Sequence, residues 1–137
     1  MATEPCPGDN AKYTITLNAA QARAVLSSLE LYFRLGMGQV DELNPFWGWR
    51  ATADPDKVRW ALLQLQFAVA DGMGYGDYLA VDSAQLPEQF KVACDIFQVL
   101  RREVAREEQH HAASVWHHTP LRNSKQPLPK VSTENQP

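Results

Sequence analysis

The residues best equipped for chemistry lie in one stretch, Arg34-Leu35-Gly36-Met37-Gly38-Gln39, and in the loop that follows, Phe46-Trp47-Gly48-Trp49-Arg50. An arginine clamps a phosphate through two parallel N–H donors. Aromatic faces stack on nucleobases, and the Gln39 amide offers both a donor and an acceptor to a base edge. The backbone N–H groups of residues 36–39 add anion contacts, because glycine lets a main chain approach a ligand closely. The ligand-binding candidates are therefore Arg34, Met37, Gln39, Trp47, Trp49 and Arg50. They are joined by Tyr75 from a glycine-rich turn, Arg102 from the last helix and Lys130 from the C-terminal tail. This is the chemistry of binding. No set of nucleophile, base and oxyanion donor can be assembled, so no catalytic residue and no cofactor are assigned.

The same residues have a plainer use, with the tryptophans filling a core and the glycines ending a helix. The length of residues 37–53 speaks for function, since connections beyond about 12–15 residues tend to be functional or disordered. Their aromatic content speaks against disorder. His110, His111, His117 and His118, with Glu107 or Glu108, are the only hint of a metal-dependent hydrolase. Their spacing is not a helical i,i+4 ligand set, and no metal ligand is assigned.

The totals narrow the classes. A chain of 137 residues suits one domain, and 45% hydrophobic residues supply a core. A net charge of −3 argues against a nucleic-acid partner, which needs a basic face. Cys6 and Cys94 make neither a disulfide framework nor a zinc pattern. No leader pattern or apolar run of membrane length is present, so a membrane partner is not expected and a reducing cytosol is the default.

The elements that must hold the candidates follow from periodicity. Residues 1–11 form a flexible arm, 12–115 a helical core domain and 116–137 an extended tail. Tyr13, Ile15 and Leu17 alternate with Lys12, Thr14 and Thr16, which predicts a short strand. It pairs either with residues 78–81 or with the same strand of another subunit. Asn18 and Gln21 form a capping box for a helix over 19–35, with Ala22, Val25, Leu26, Leu29, Tyr32 and Phe33 as its apolar stripe and Gly36 beyond its end. Residues 40–43 add one turn, broken at Asn44-Pro45. Asp54 caps a second helix that starts at Pro55 and ends at Asp71. Val58, Leu62, Leu65 and Val69 form one seam of that helix, and Trp60, Leu63, Phe67 and Ala70 occupy much of the rest. A helix apolar on most sides is buried on most sides, which predicts a subunit interface as well as a core. Gly72-Met73-Gly74-Tyr75-Gly76 ends a helix rather than opening one, so it reads as a turn and not a phosphate loop. A third helix starts near Leu86-Pro87, with Glu88 in its first turn, and runs to about Glu108 or through His111, with a seam of Phe90, Ala93, Phe97, Leu100 and Val104. The fold class is mostly α (α+β): three main helices with a short N-terminal strand, assembled as a helical-bundle homo-oligomer, a dimer or tetramer.

Residues 16–23 and 29–39, centred on Gly36-Met37-Gly38-Gln39, resemble a widespread family of small bacteriophage proteins. Residues 92–101 and 126–131 are similar to its other two shared blocks. The resemblance implies a phage or prophage accessory protein acting in the host cytoplasm. Small phage proteins of this kind look like viral sponges that sequester cyclic-nucleotide signals of bacterial immunity. The expected function is non-catalytic capture of such a nucleotide. The alternative is a phage inhibitor that binds a host enzyme through an acidic surface, and the metal-dependent hydrolase stands behind both.

Overall fold

The computed structural model describes residues 11–69, 78–108 and 119–133. Its elements in order are α1 (Ala19–Gly36), a 3-10 segment η1 (Val40–Trp47), α2 (Pro55–Val69) and α3 (Glu88–Glu108). The fold is mostly helical, with no strand among the described residues. None of the described helices is long and apolar enough to cross a membrane.

α1 and α3 form the centre. They run antiparallel: Arg23 pairs with Glu108 at one end, Phe33 meets Phe97 edge-on at 5.3 Å, and Gly36 lies under Phe90 at the other end. Phe33, Met37, Leu86, Ala93, Cys94 and Phe97 are the buried core, flanked by Leu26, Leu29, Leu79, Val81 and Phe90. The expected α1 stripe thus faces α3. Tyr32, on its edge, stays half exposed and packs on Phe90 at 4.9 Å.

Both ends of α1 are built locally. The Asn18 side chain accepts from Gln21 N at 2.9 Å and the Gln21 side chain accepts from Asn18 N at 2.9 Å, the expected capping box. The C-terminal end differs from expectation. Gly36 is the last helical residue, Met37 caps in the αR region, and the left-handed conformation falls to Gly38 at φ 94°. Two glycines are present because two separate constraints need them. A Cβ on Gly36 would lie 2.3–2.6 Å from atoms of the Phe90 ring, whereas Gly38 turns the chain.

The boundaries of the other elements differ in places. η1 continues through Asn44 and Pro45 to Trp47 instead of stopping before the proline. Asp54 does cap α2, its Oδ1 accepting from Asp56 N at 3.0 Å and Lys57 N at 3.3 Å. The expected end of that helix at Asp71, and the glycine-rich turn after it, lie outside the described residues. Residues 12–17 form no ladder within the described chain, and Tyr13 and Ile15 are largely in water. Residues 78–81 are not a strand; Leu79 N donates to Met37 O at 2.8 Å and closes the end of the core.

The C-terminal segment lies on its own chain's α3. Asp95, 2% exposed, receives four hydrogen bonds: Asn123 N and Nδ2 donate to Oδ1 at 2.8 and 3.2 Å, and Ser124 N and Oγ donate to Oδ2 at 3.0 and 2.7 Å. Gln98 exchanges two bonds of 3.2 Å with the Leu121 main chain, and Lys125 N donates to Glu88. Thr133 then reaches Glu103 at 3.4 Å. Residues 88–103 of a helix span about 22 Å, and residues 125–133 reach about 28 Å at most. The returning arm therefore runs nearly straight, which suits Pro127 and Pro129.

Gly36→Ala should lower the unfolding free energy by about 1–3 kcal/mol, as overpacking does. In a Phe90→Ala background the same substitution should cost far less. Urea denaturation of the four proteins measures the coupling, and additive losses would disprove the contact. Asp95→Ala should cost about 3 kcal/mol, because charge-assisted bonds are lost and buried donors are orphaned. Residues 119–133 should then become the first site of limited proteolysis.

Candidate functional site

The sequence candidates meet the fold in two places. The first is the junction of α1, η1 and α3. Arg34, on the last turn of α1, donates from Nε to Glu30 at 3.0 Å, an i,i+4 pair along one helix face. The left-handed turn at Gly38 sends η1 back beside α1, so Gln39 Oε1 accepts from Arg34 Nη1 at 2.9 Å and a Glu42 oxygen stands 3.6 Å from the same nitrogen. Two of the expected ligand groups, Arg34 and Gln39, thus orient each other. Met37 lies between them in sequence, yet its side chain belongs to the core.

α3 adds a residue that is not among the sequence candidates. Arg101 lies one helical turn after Phe97, and its guanidinium sits 5.2 Å over the Phe97 ring. Its partial burial pushes its pKa below the usual arginine range; nearby Glu30 opposes this, and nearby Arg34 adds to it. Arg34 and Arg101, on two different helices and each partly buried, therefore stand near enough for their charges to act on each other. The neighbouring Arg102, the residue singled out from the sequence, is exposed. The available signal was spacing: a guanidinium four residues after a seam phenylalanine falls over its ring.

Cys94 stands in the same neighbourhood. Burial pushes its thiol above the ordinary range, a contact from the Gln98 amide at 3.6 Å lowers it, Asp95 raises it, and Arg34 and Arg101 lower it. A buried thiol with a raised pKa is a packing group rather than a nucleophile.

The second place is the end of η1. Phe46 and Trp47 meet edge-on at 5.3 Å, with Trp47 half-buried. Trp49 is 77% exposed, and the Arg50 guanidinium stands 5.7 Å from its ring centre. This is an open stacking face with a cation beside it. Lys130 is exposed on the returning C-terminal arm, and Tyr75 lies outside the described residues, as do the four histidines. Among the described residues no group of three His, Cys, Asp or Glu is placed to hold a metal.

The arrangement can hold an anion through Arg34 and Arg101 and stack a planar ring on Trp49. No protein-family model, curated protein or solved structure matches the chain.

The thiol environment sets a pH dependence. Because folding raises the Cys94 pKa, the stability it contributes is fully present below the unfolded thiol value of 9.0 and falls as pH rises through the folded value. In a Cys6→Ser background, Cys94 should resist a thiol-specific reagent at pH 8 and react at once in denaturant. Rapid labelling of the native protein would contradict the burial.

Proposed function

We propose that the protein is a non-catalytic, phage-type accessory protein that captures an anionic nucleotide, of the cyclic-nucleotide signal class, in the host cytoplasm. The observation that carries this reading is that Arg34 and Arg101, each partly buried, stand near enough for their charges to act on each other. Two guanidiniums within reach of each other at partial burial repel and are desolvated, and Glu30 and Glu42 stand beside Arg34. A phosphate relieves that repulsion and accepts paired donors from both. Gln39 is held at the same junction for hydrogen bonding, and Trp47, Trp49 and Arg50 follow on the segment that Arg34 anchors. Sequestration needs affinity without turnover, which suits a junction whose nearest thiol is buried and protonated. The reading includes a homo-oligomer, whose copies supply further walls and leave the alternating residues 12–17 a strand of another subunit to pair with.

A second reading, a protein-binding inhibitor of a host enzyme, is favoured by the exposed tip of η1. Asp41 and Glu42 are exposed there, and Phe46 and Trp49 are 54% and 77% exposed. Acidic and aromatic groups side by side suit a protein surface.

Calorimetry with a panel of cyclic di- and trinucleotides tests the first reading. Arg34→Ala and Arg101→Ala should each weaken binding at least tenfold, about 1.4 kcal/mol, with circular dichroism unchanged. Arg102→Ala should bind as the wild type does. Absence of binding across the panel, together with capture of a host protein that Trp49→Ala abolishes, would establish the second reading instead.

A further inference from the structure

Asp95 anchors the C-terminal arm, and in doing so it holds both atoms that one covalent reaction needs. Asn123 is followed by Ser124. Asparagine is thermolabile because the main-chain nitrogen of the next residue attacks its side-chain carbonyl carbon. Nitrogen and carbon join in a cyclic imide, and the Nδ2 group leaves as ammonia. Water then opens the ring to aspartate or isoaspartate. One water is consumed and one ammonia released for each neutral amide turned into a carboxylate, and no electron is transferred. Serine suits the reaction, being small and carrying a hydroxyl that makes its own N–H more acidic. The other asparagines precede Ala11, Ala19, Pro45 and Gln136. Pro45 has no N–H to lose, and alanine and glutamine have no such hydroxyl.

While the arm is docked, the reaction is blocked at both ends. The nucleophile, Ser124 N–H, donates to Asp95 Oδ2 at 3.0 Å, and a carboxylate beside it disfavours the amide anion that attacks. The leaving group, Asn123 Nδ2, donates to Asp95 Oδ1 at 3.2 Å and to Leu121 O at 3.1 Å, which pins the side chain. The block lasts only while the arm is closed. Among residues 119–133 Ser124 alone is buried, and a segment with so little burial opens locally more readily than a packed core. The reaction proceeds from the open arm, at a rate set by how often that state is populated.

The product cannot close as the amide does. A carboxylate at position 123 puts a negative charge where Nδ2 now donates to Asp95, so an attraction becomes a repulsion. The isoaspartyl product also lengthens the main chain by one carbon, which moves Ser124 N–H out of register with Oδ2. Arg122 and Lys125 are exposed, and water weakens what they offer the new charge.

We propose that Asn123 is a self-modification site: Asp95 holds back its deamidation, and deamidation, once it occurs, irreversibly releases residues 119–133 from α3. The proposal is independent of the nucleotide reading.

The test ages the full chain at mildly alkaline pH and follows the segment containing Asn123 by mass spectrometry. A synthetic peptide of residues 119–133 gives the rate without a fold. The native protein should deamidate at least about tenfold more slowly than the peptide. Asp95→Ala should approach the peptide's rate with its helical circular dichroism retained. Gln98→Ala loosens the arm at Leu121 and leaves Asp95 in place, so its rate should fall between the two. Ion exchange separates the deamidated wild type as the more negative species. That fraction should lose residues 119–133 to limited proteolysis while the unmodified fraction keeps them. Equal rates for native protein and peptide overturn the proposal, and so does an arm equally protected in both fractions.

Discussion

Phe90 lies over Gly36 so closely that a Cβ on that residue would overlap its ring, and this approach fixes the register of α1 against α3. With that end set, Phe33 meets Phe97 and Arg23 meets Glu108 along the same pair of helices. The junction of charged groups is a consequence. Arg34 and Arg101 come from opposite helices and share a neighbourhood because the helices are locked in this register. The left-handed turn at Gly38 brings the third contributor, η1, back to the same place. A fold that positions its site through one glycine contact has little freedom to shift the two arginines independently.

A second constraint acts on the other side of α3. Asp95 is a carboxylate taken almost wholly out of water, tolerable only because four donors from Asn123 and Ser124 surround it. Those donors come from a segment with almost no apolar mass to bury. Hydrogen bonds to a charge hold it where the hydrophobic effect could not. The proline-rich arm that follows is nearly extended and needs few further contacts to stay ordered, since its prolines restrict the chain beforehand. α3 is thus faced by α1 on its apolar side and by polar main chain on another.

α2 stands apart from this arrangement. Trp60 and Phe67 on it stay exposed, and among the described elements its company is η1. An amphipathic helix that keeps tryptophan and phenylalanine in water leaves unclaimed the burial that would stabilise it.

Local chemistry was legible in the sequence wherever it depends on neighbours a few residues apart. The capping box at Asn18 and Gln21, the Asp54 cap, the start of α1, the approximate end of α3 and the stripe facing α3 all follow from spacing along one helix. The Glu30–Arg34 pair is of the same kind. What long-range packing decides was not legible. Gly36 reads as a helix terminator, but it is helical, because its missing side chain is needed by a ring 54 positions later in the chain (90 − 36). Arg101 and Arg102 are equivalent charges in a periodic pattern; only the burial of Phe97 makes the first part of the junction and leaves the second in water. Asp95 and Ser124 carry no mutual signal at all, being brought together by the path of the C-terminal arm. The sequence by itself determined where helices start, stop and turn greasy, since those are interactions of a residue with its own turn. Only the tertiary structure decided which polar groups share a site, because that depends on the register of helices that meet far apart in the chain.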